Sequence, residues 1–582
     1  MIDWVHPSAF LILGALLIPF LRGRVQQIYI VLLPALALAT VMLMSPGVHG
    51  VVKFLGFELI FGRVDKLSLA FAYVFSSAAL IGATYALHVK DNGQHIAAFT
   101  YAGSAIGATF AGDLLTLFVF WELMAFASVW LIWSRRVKAS IEAGYRYLLV
   151  HAVGGVVLLA GIVILYVTTG STRFDAMQQV NGAAFYLILI GFMLNAAVPP
   201  LHAWLTDAYP EATVTGAVFL SAFTTKTAVY ALTRAYAGTE LLIWMGTIMA
   251  LYGVVFAMLS NDIRRRLGYH IISQVGFMVA AVGMGTALAS NGAVAHAFAH
   301  ILYKGLLFMG AGAVIQMTGR SKLSDLGGLY RSMPVTFVLY MIGALSISAF
   351  PLFSGFVSKS MEISAAAEMH LPKIWLLLTM ASVGTFLCLG LKIPYYTFFG
   401  KDCGIRPTEP PRNMLVAMGM AAFLCVFIGV YPAWLYDKLP NLVEYHSYTP
   451  THVIWALQIL LFTGMGFFML RKKLGGLRKI TLDIDWFYRK GAGLFMQFVY
   501  HVVAPIENWF IQVYRSVFRG NLTLGTKGLW LDKHVIDGAV NAIAAVVVRG
   551  AGALRQMQTG QLQQYALIMV GSLLILSLYS LF

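Results

Sequence analysis

Apolar runs of about 20 residues, long enough to cross a hydrocarbon core of roughly 30 Å as helices, recur along the chain from Phe10 to Phe582. About sixteen such runs are present, so the expected fold is an all-α polytopic membrane protein with about 14–16 transmembrane helices. Composition agrees: 59% of residues are hydrophobic and 11% charged, roughly half the charged share of a soluble domain. The run Phe10–Leu21 has no basic residue before it and no small-residue cleavage pattern after it, which argues for a first span and against a signal peptide.

The net charge of +16 suggests nucleic acid only if basic residues share a soluble face with interleaved aromatics. Here they sit between the apolar runs. Call the connection after the first run side A. Its loops then carry Arg22 and Arg24, Arg135, Arg136 and Lys138, Arg264 to Arg266, Arg320, Lys322 and Arg331, Lys401, Arg406 and Arg412, and Arg471 to Lys479. Side B holds fewer, chiefly Lys53, Arg63, Lys66, Arg173, Lys359, Lys373 and Lys438. The alternation makes side A cytoplasmic and puts both termini outside, in a multi-pass protein of the cell membrane facing anionic lipid. Nucleic acid is not an expected partner. Cys388, Cys403 and Cys425 show neither a CxxC pair nor metal-ligand spacing and read as packing residues.

Residues 1–471 read as one helical body. Residues 480–556 mix apolar positions with Asp483, Asp485, Arg489, Lys490, Glu507, Arg515, Arg519 and others, too polar to span and too apolar for disorder, so an amphipathic segment along the membrane or a partner is expected before a last anchor at 557–582. Two stretches break the pattern alike. One run ends at Pro199-Pro200 and is followed by a polar piece with His202, Asp207 and Glu211, then by a run with Lys226; another ends at Pro351 and is followed by a polar piece with Lys359 and Glu362, then by a run with Lys392. Parity puts the first break on side A and the second on side B. Interrupted helices at corresponding positions on opposite faces point to an inverted repeat around a transport path; two ordinary loops near proline are the alternative.

Ionisable groups near the bilayer centre cost about 2.5–3.5 kcal/mol on insertion scales, so each needs a partner, water or a task. Glu122 and Lys226 both lie close to the midpoints of their runs. Each would favour the charged form of the other, and separating them would release a proton. His296, His300 and Lys304 are spaced by four and share a helix face, with the histidines climbing roughly 6 and 12 Å from Lys304 toward side B. A His/His/Lys ladder suits a proton relay, and no carboxylate or cysteine accompanies it at zinc-ligand spacing. Lys392 precedes Pro394, which can free backbone groups to water; snorkelling to side A competes. His270, after the triple arginine, reads either as a proton-access residue or as an interfacial histidine, and His151 as packing.

Four stretches carry a resemblance: Phe120-Trp-Glu122-Leu-Met; Pro200-Leu-His202-Ala-Trp-Leu-Thr-Asp207-Ala; Asp262-Ile-Arg-Arg-Arg-Leu-Gly-Tyr-His270-Ile-Ile-Ser-Gln-Val-Gly; and His296-Ala-Phe-Ala-His300-Ile-Leu-Tyr-Lys304-Gly-Leu-Leu-Phe. Over roughly residues 60–430 the chain resembles the antiporter-like membrane subunits of respiratory complex I, membrane-bound hydrogenases and multi-subunit cation/proton antiporters. The resemblance implies two inverted five-helix repeats with broken helices, and a hydrated axis through Glu122, Lys226, Lys304 and Lys392 that moves protons. The Lys226 region is most similar to the D-type antiporter subunit. Trp530 to Asp537 and Gln558 to Leu567 resemble the longest complex I subunit of this type, whose tail is a lateral helix. His270 stands where the family usually has serine.

The expected division is 1–95, N-terminal helices; 96–260 and 261–433, the two repeats; 434–479, a further helix and basic loop; 480–556, the lateral segment; and 557–582, the anchor. The expected function is proton translocation within a multi-subunit, redox-driven complex, along Glu122, Lys226, His296, His300, Lys304 and Lys392, with His202, Asp207, His270 and Lys359 in access or support. No cofactor, metal or redox site is expected in this chain, and its partners are other membrane subunits and protons. The alternatives are one component of a Na⁺ or K⁺/proton antiporter, a structural subunit, and an energised uptake system with a soluble metal-containing partner.

Overall fold

The computed structural model describes residues 4–580 apart from 178–179, 181, 476–482, 525–536 and 558–560. The chain divides into two units, Met1–Thr481 and Leu482–Phe582. Eleven of the described helices are long and apolar enough to cross a membrane. The first unit begins with α1 (Pro7–Ala15), α2 (Gly23–Leu43) and an antiparallel hairpin, β1 (Gly47–Phe54) and β2 (Phe57–Val64). The hairpin is the one departure from all-α among the described residues. It turns at Leu55 and Gly56, both with positive φ (49° and 84°), a geometry that a glycine adopts without strain.

Next come α3 (Lys66–Tyr85), α4 (Asn92–Phe110), α5 (Leu114–Trp133) and α6 (Lys138–Thr169). Asp113 caps α5: its carboxylate accepts from Thr116 N at 2.8 Å and from Ile60 N of β2 at 2.7 Å, which ties the hairpin to the helix start. Then follow α7 (Ala183–Asn195), α8 (Ala203–Ala208), α9 (Val214–Ala222), α10 (Thr224–Tyr236), α11 (Glu240–Leu259), α12 (Ile263–Met284) and α13 (Ala287–Thr318). The last two are wrapped on all sides, with 100% and 94% of their apolar windows buried, and form the centre of the body. Around them lie α14 (Pro334–Ile347), α15 (Ser354–Glu368), α16 (Pro372–Thr385, continuing through π-helical turns Phe386–Lys392 and Tyr395–Phe399), α17 (Arg412–Val430), α18 (Ala433–Tyr436) and α19 (Pro450–Leu470).

The two polar pieces, which parity placed on sides A and B, are buried helices of interrupted spans, as the first reading expected and not the alternative of two ordinary loops. A Cβ on Gly161 or Gly154 of α6 would meet Ile188 or Leu194 of α7, and Arg146 of α6 pairs with Asp207 of α8. Both α7 and α8 therefore run antiparallel to α6, as one interrupted span. On α13, Gly310 packs near Tyr340 of α14, Tyr303 near Gly355 of α15, and Gly292 against Glu362 of α15. Here too α14 and α15 form one span, broken in its middle. Lys359, assigned to a side B loop by parity, is fully buried in it.

The breaks are built alike. Two residues after α7 ends, Ala197 has φ +58°, and Val198 N donates to Met193 O; two residues after α14 ends, Ala349 has φ +57°, and Phe350 N donates to Leu345 O. This is the left-handed close of a helix with its six-residue return bond, made by alanine where glycine is usual. It satisfies carbonyls that have no water to turn to.

The second unit contains α20 (Asp485–Phe498), α21 (Ala504–Leu524), α22 (Asp537–Met557) and α23 (Leu562–Tyr579). The first three bear exposed apolar side chains such as Phe487, Leu494, Tyr514, Val540 and Val547, as expected of amphipathic helices. α23 is apolar enough to span. Residues 530–536 of the tail motif and 558–560 lie outside the described residues.

Candidate proton path

α9 and α10 are one helix interrupted at Phe223, and two side chains hold the interruption. The Lys226 ammonium donates to Ser221 O at 2.7 Å, and Tyr101 OH of α4 accepts from Thr224 N at 3.0 Å while bonding Thr224 Oγ1 at 2.7 Å. Glu122 of α5 faces the backbone of α6, where a Cβ on Gly155 would lie 2.0 Å from Oε1. Among the described residues that oxygen has no hydrogen-bond partner. Among the described residues no ion pair joins Glu122 to Lys226. The lysine has instead taken the carbonyl freed by the break in its own helix.

The same solution recurs at the other lysines. Lys359 donates to Ile347 O, the last residue of α14, at 2.9 Å, and its ammonium lies 5.2 Å from the centre of the Phe277 ring. Lys392, at the end of a π-helical turn, donates at 3.1 Å to Met258 O in the last turn of α11, the end that leads to Arg264 to Arg266. Three buried ammoniums thus bind carbonyls left over where helices break or end. Lys304 is the exception: among the described residues its buried Nζ has no hydrogen-bond partner, nor has either ring nitrogen of His300.

The face carrying His296, His300 and Lys304 forms as their spacing predicts, with the two imidazoles 6.2 Å apart. The contacts of His296, however, run sideways. Its Nδ1 lies 2.6 Å from Glu362 Oε2 and its Nε2 2.8 Å from Tyr303 OH. Tyr303 OH then donates to Gln274 Oε1 at 3.5 Å, and Gln274 Nε2 to Thr385 Oγ1 at 3.3 Å. A continuous polar chain therefore crosses from α15 through α13 and α12 to α16, ending beside the π-helical turn that carries Lys392.

Glu362, Tyr303, Gln274 and Thr385 had no place in the sequence-derived path. Glu362 stood in a polar piece that parity placed on side B, and the other three are neutral. The signal available was proximity: Tyr303 adjoins Lys304, and Gln274 lies four residues after His270.

Of the supporting residues, Asp207 is bound by Arg146 through two bonds of 2.6 and 3.1 Å, and the His202 ring stands edge-on to Tyr252, 4.7 Å between centroids. His270 is fully buried in α12, and among the described residues neither of its ring nitrogens has a hydrogen-bond partner. His151 packs between Tyr147 and Trp204, at 4.2 and 4.6 Å. Among the described residues no group of three His, Cys, Asp or Glu side chains is placed to hold a metal ion.

The family described as NADH:quinone oxidoreductase/Mrp antiporter, TM, matches residues 111–387, which contain both breaks and the whole polar chain. Over those residues the chain is similar to the antiporter-like membrane subunits of the complex I and Mrp superfamily. The chain is 30% identical over 400 residues to a probable K(+)/H(+) antiporter subunit of Rhizobium meliloti, covering 64% of this chain and 40% of that one. It is 27% identical over 578 residues to NAD(P)H-quinone oxidoreductase chain 5 of a Picosynechococcus species, covering 88% of this chain and 85% of that one. In fold it is similar to a chain of an archaeal membrane-bound sulfane sulfur reductase, with a TM-score of 0.70 at 24% identity over 98% of this chain and 99% of that one. The relatives are subunits of multi-subunit membrane complexes, and the protein described here, with eleven spanning-length apolar helices among its described residues, is a multi-pass membrane protein.

Proposed function

We propose that this subunit conducts protons within a redox-driven complex of the cell membrane, along a path in which Glu122 and Lys226 gate, His300 and Lys304 relay, and Lys392 passes the proton onward. The observation that carries the reading is the buried polar chain Glu362–His296–Tyr303–Gln274–Thr385, which crosses the apolar centre between two lysine-bearing helices. Buried ionisable groups in a membrane interior mark ion pathways, and the carboxyl, imidazole and phenol of Glu362, His296 and Tyr303 can each take and release a proton, while the Gln274 amide links Tyr303 to Thr385 by hydrogen bonds alone. The matching construction of the two breaks supports an inverted repeat, divided at 96–260 and 261–433. Arg146, Asp207, His202 and His270 support access from side A, and Lys359 supports the second half. The driving reaction would lie in partner subunits.

The intact complex, reconstituted in liposomes, should lose proton pumping with Lys226→Ala or Glu122→Ala. Unchanged pumping in both variants would overturn the reading. The 30% identity to the probable K(+)/H(+) antiporter protein favours a second reading, exchange of K⁺ or Na⁺ for protons. It requires cation-dependent proton flux with no electron donor present.

A further inference from the structure

Arg266, near the start of α12, is fully buried. A guanidinium does not give up its proton in a protein, so this position carries a permanent positive charge. Buried charges are paired, and Arg234 obeys the rule by gripping Asp65 through bonds of 2.8 and 2.9 Å. Among the described residues no carboxylate reaches Arg266. One of its amino groups donates to Ser260 O and the other to Cys388 Sγ at 3.7 Å, while its Nε has no partner. Of those two acceptors, a carbonyl cannot ionise and a thiol can.

Cys388 is itself fully buried and lies in the π-helical turn Phe386–Lys392, a geometry that is frequent at functional sites. Thr385, where the polar chain ends, and Cys388 both face α12, the first at Gln274 and the second at Arg266. Lys392 follows Cys388 by four residues on the same helix. The other titratable groups close to the sulfur are Lys304 of α13, Lys392 itself and Tyr340 of α14. Neighbouring cations favour a thiolate over a thiol.

We infer that Cys388 is a thiolate, the buried counter-ion of Arg266, and that this pair sets the charge beside Lys392. The sulfur is then a positioning residue, and not the packing residue that its spacing in the sequence suggested. A bare guanidinium so near Lys392 would oppose any proton arriving there, because charges in a low-dielectric interior are weakly screened. Paired with a thiolate it is neutral overall, and Lys392 can gain and lose its proton. The effect on flux rests on the transport reading above; the charge of the sulfur does not.

The test is infrared difference spectroscopy of the intact purified complex. The S–H stretching band, which stands clear of other protein bands, is compared between the parent and Cys388→Ser, so that every other thiol cancels. The expected result is no S–H band lost on substitution, because the parent sulfur carries no proton. In Arg266→Met the band should appear, and adding Cys388→Ser should remove it. A band present in the parent and lost in Cys388→Ser would make Cys388 a neutral thiol and overturn the inference, as would the absence of a band in Arg266→Met. Should Cys388→Ser not assemble, Cys388→Asp, which brings an anion of its own, serves as the reference. In liposomes, leaving the buried guanidinium unpaired in Cys388→Ser should lower proton flux about tenfold, and Cys388→Asp should recover most of it. Full flux in Cys388→Ser would overturn the role beside Lys392. A parent complex that pumps no protons would overturn the transport reading, while the infrared band still decides the charge of the sulfur.

Discussion

His296 Nδ1 lies 2.6 Å from Glu362 Oε2, with neither side chain reached by solvent. Removing one member leaves the other buried and unsatisfied, which costs about 1–3 kcal/mol or more. Glu362→Ala should therefore lower the thermal unfolding midpoint of the purified complex, and proton flux with it. Glu362→Gln keeps an acceptor for His296 and should recover most of the stability without the flux. Equal flux in Glu362→Gln and the parent would remove the carboxyl from the path.

Gly155 is a test of Glu122 that leaves its carboxylate in place. A methyl group there would fall 2.0 Å from Glu122 Oε1, so Gly155→Ala should displace the carboxylate. Glycine-to-alanine in a helix otherwise gains roughly 1 kcal/mol in propensity. The expected outcome is assembled complex with flux reduced at least fivefold; full flux would show that Glu122 need not occupy this position.

Tyr101→Phe removes the hydroxyl that accepts Thr224 N–H at the α9–α10 break. The stranded amide should cost about 1–3 kcal/mol, and the loosened break should disturb Lys226, three residues past Phe223. Flux and unfolding temperature should fall together, more than in Tyr145→Phe, where the ring is 40% exposed.

Asp113→Ala separates stability from conduction. The variant loses the cap of α5 and the tie to Ile60 of the hairpin, for about 1–2 kcal/mol. Flux per assembled complex should stay at the parent level, and a specific loss of flux would bring the hairpin into the mechanism.

The spans, the polarity of their loops, and the identity of Glu122, Lys226, Lys304 and Lys392 as buried charges are legible in the chain itself, because hydrocarbon admits only long apolar helices and makes every interior charge conspicuous. The same reasoning misplaced residues 354–368. A helix with Lys359 and Glu362 reads as a surface piece until α12 and α13 are seen to enclose it, with the lysine on Ile347 O and the glutamate on His296.

Pairing was beyond the sequence for a physical reason. Depth along a helix follows from residue counts, so Glu122 and Lys226 could be placed at a common level. Direction around the axis and the partner chosen depend on which helices pack together and where carbonyls are freed. Tertiary structure decided that Lys226 binds Ser221 O and that Glu122 faces Gly155. It also turned His296 away from its own ladder toward Glu362 and Tyr303, because a buried imidazole takes the nearest groups that satisfy both its nitrogens. The sequence by itself determined that charges would lie inside the membrane; only the packing of α12, α13, α15 and α16 decided which of them touch.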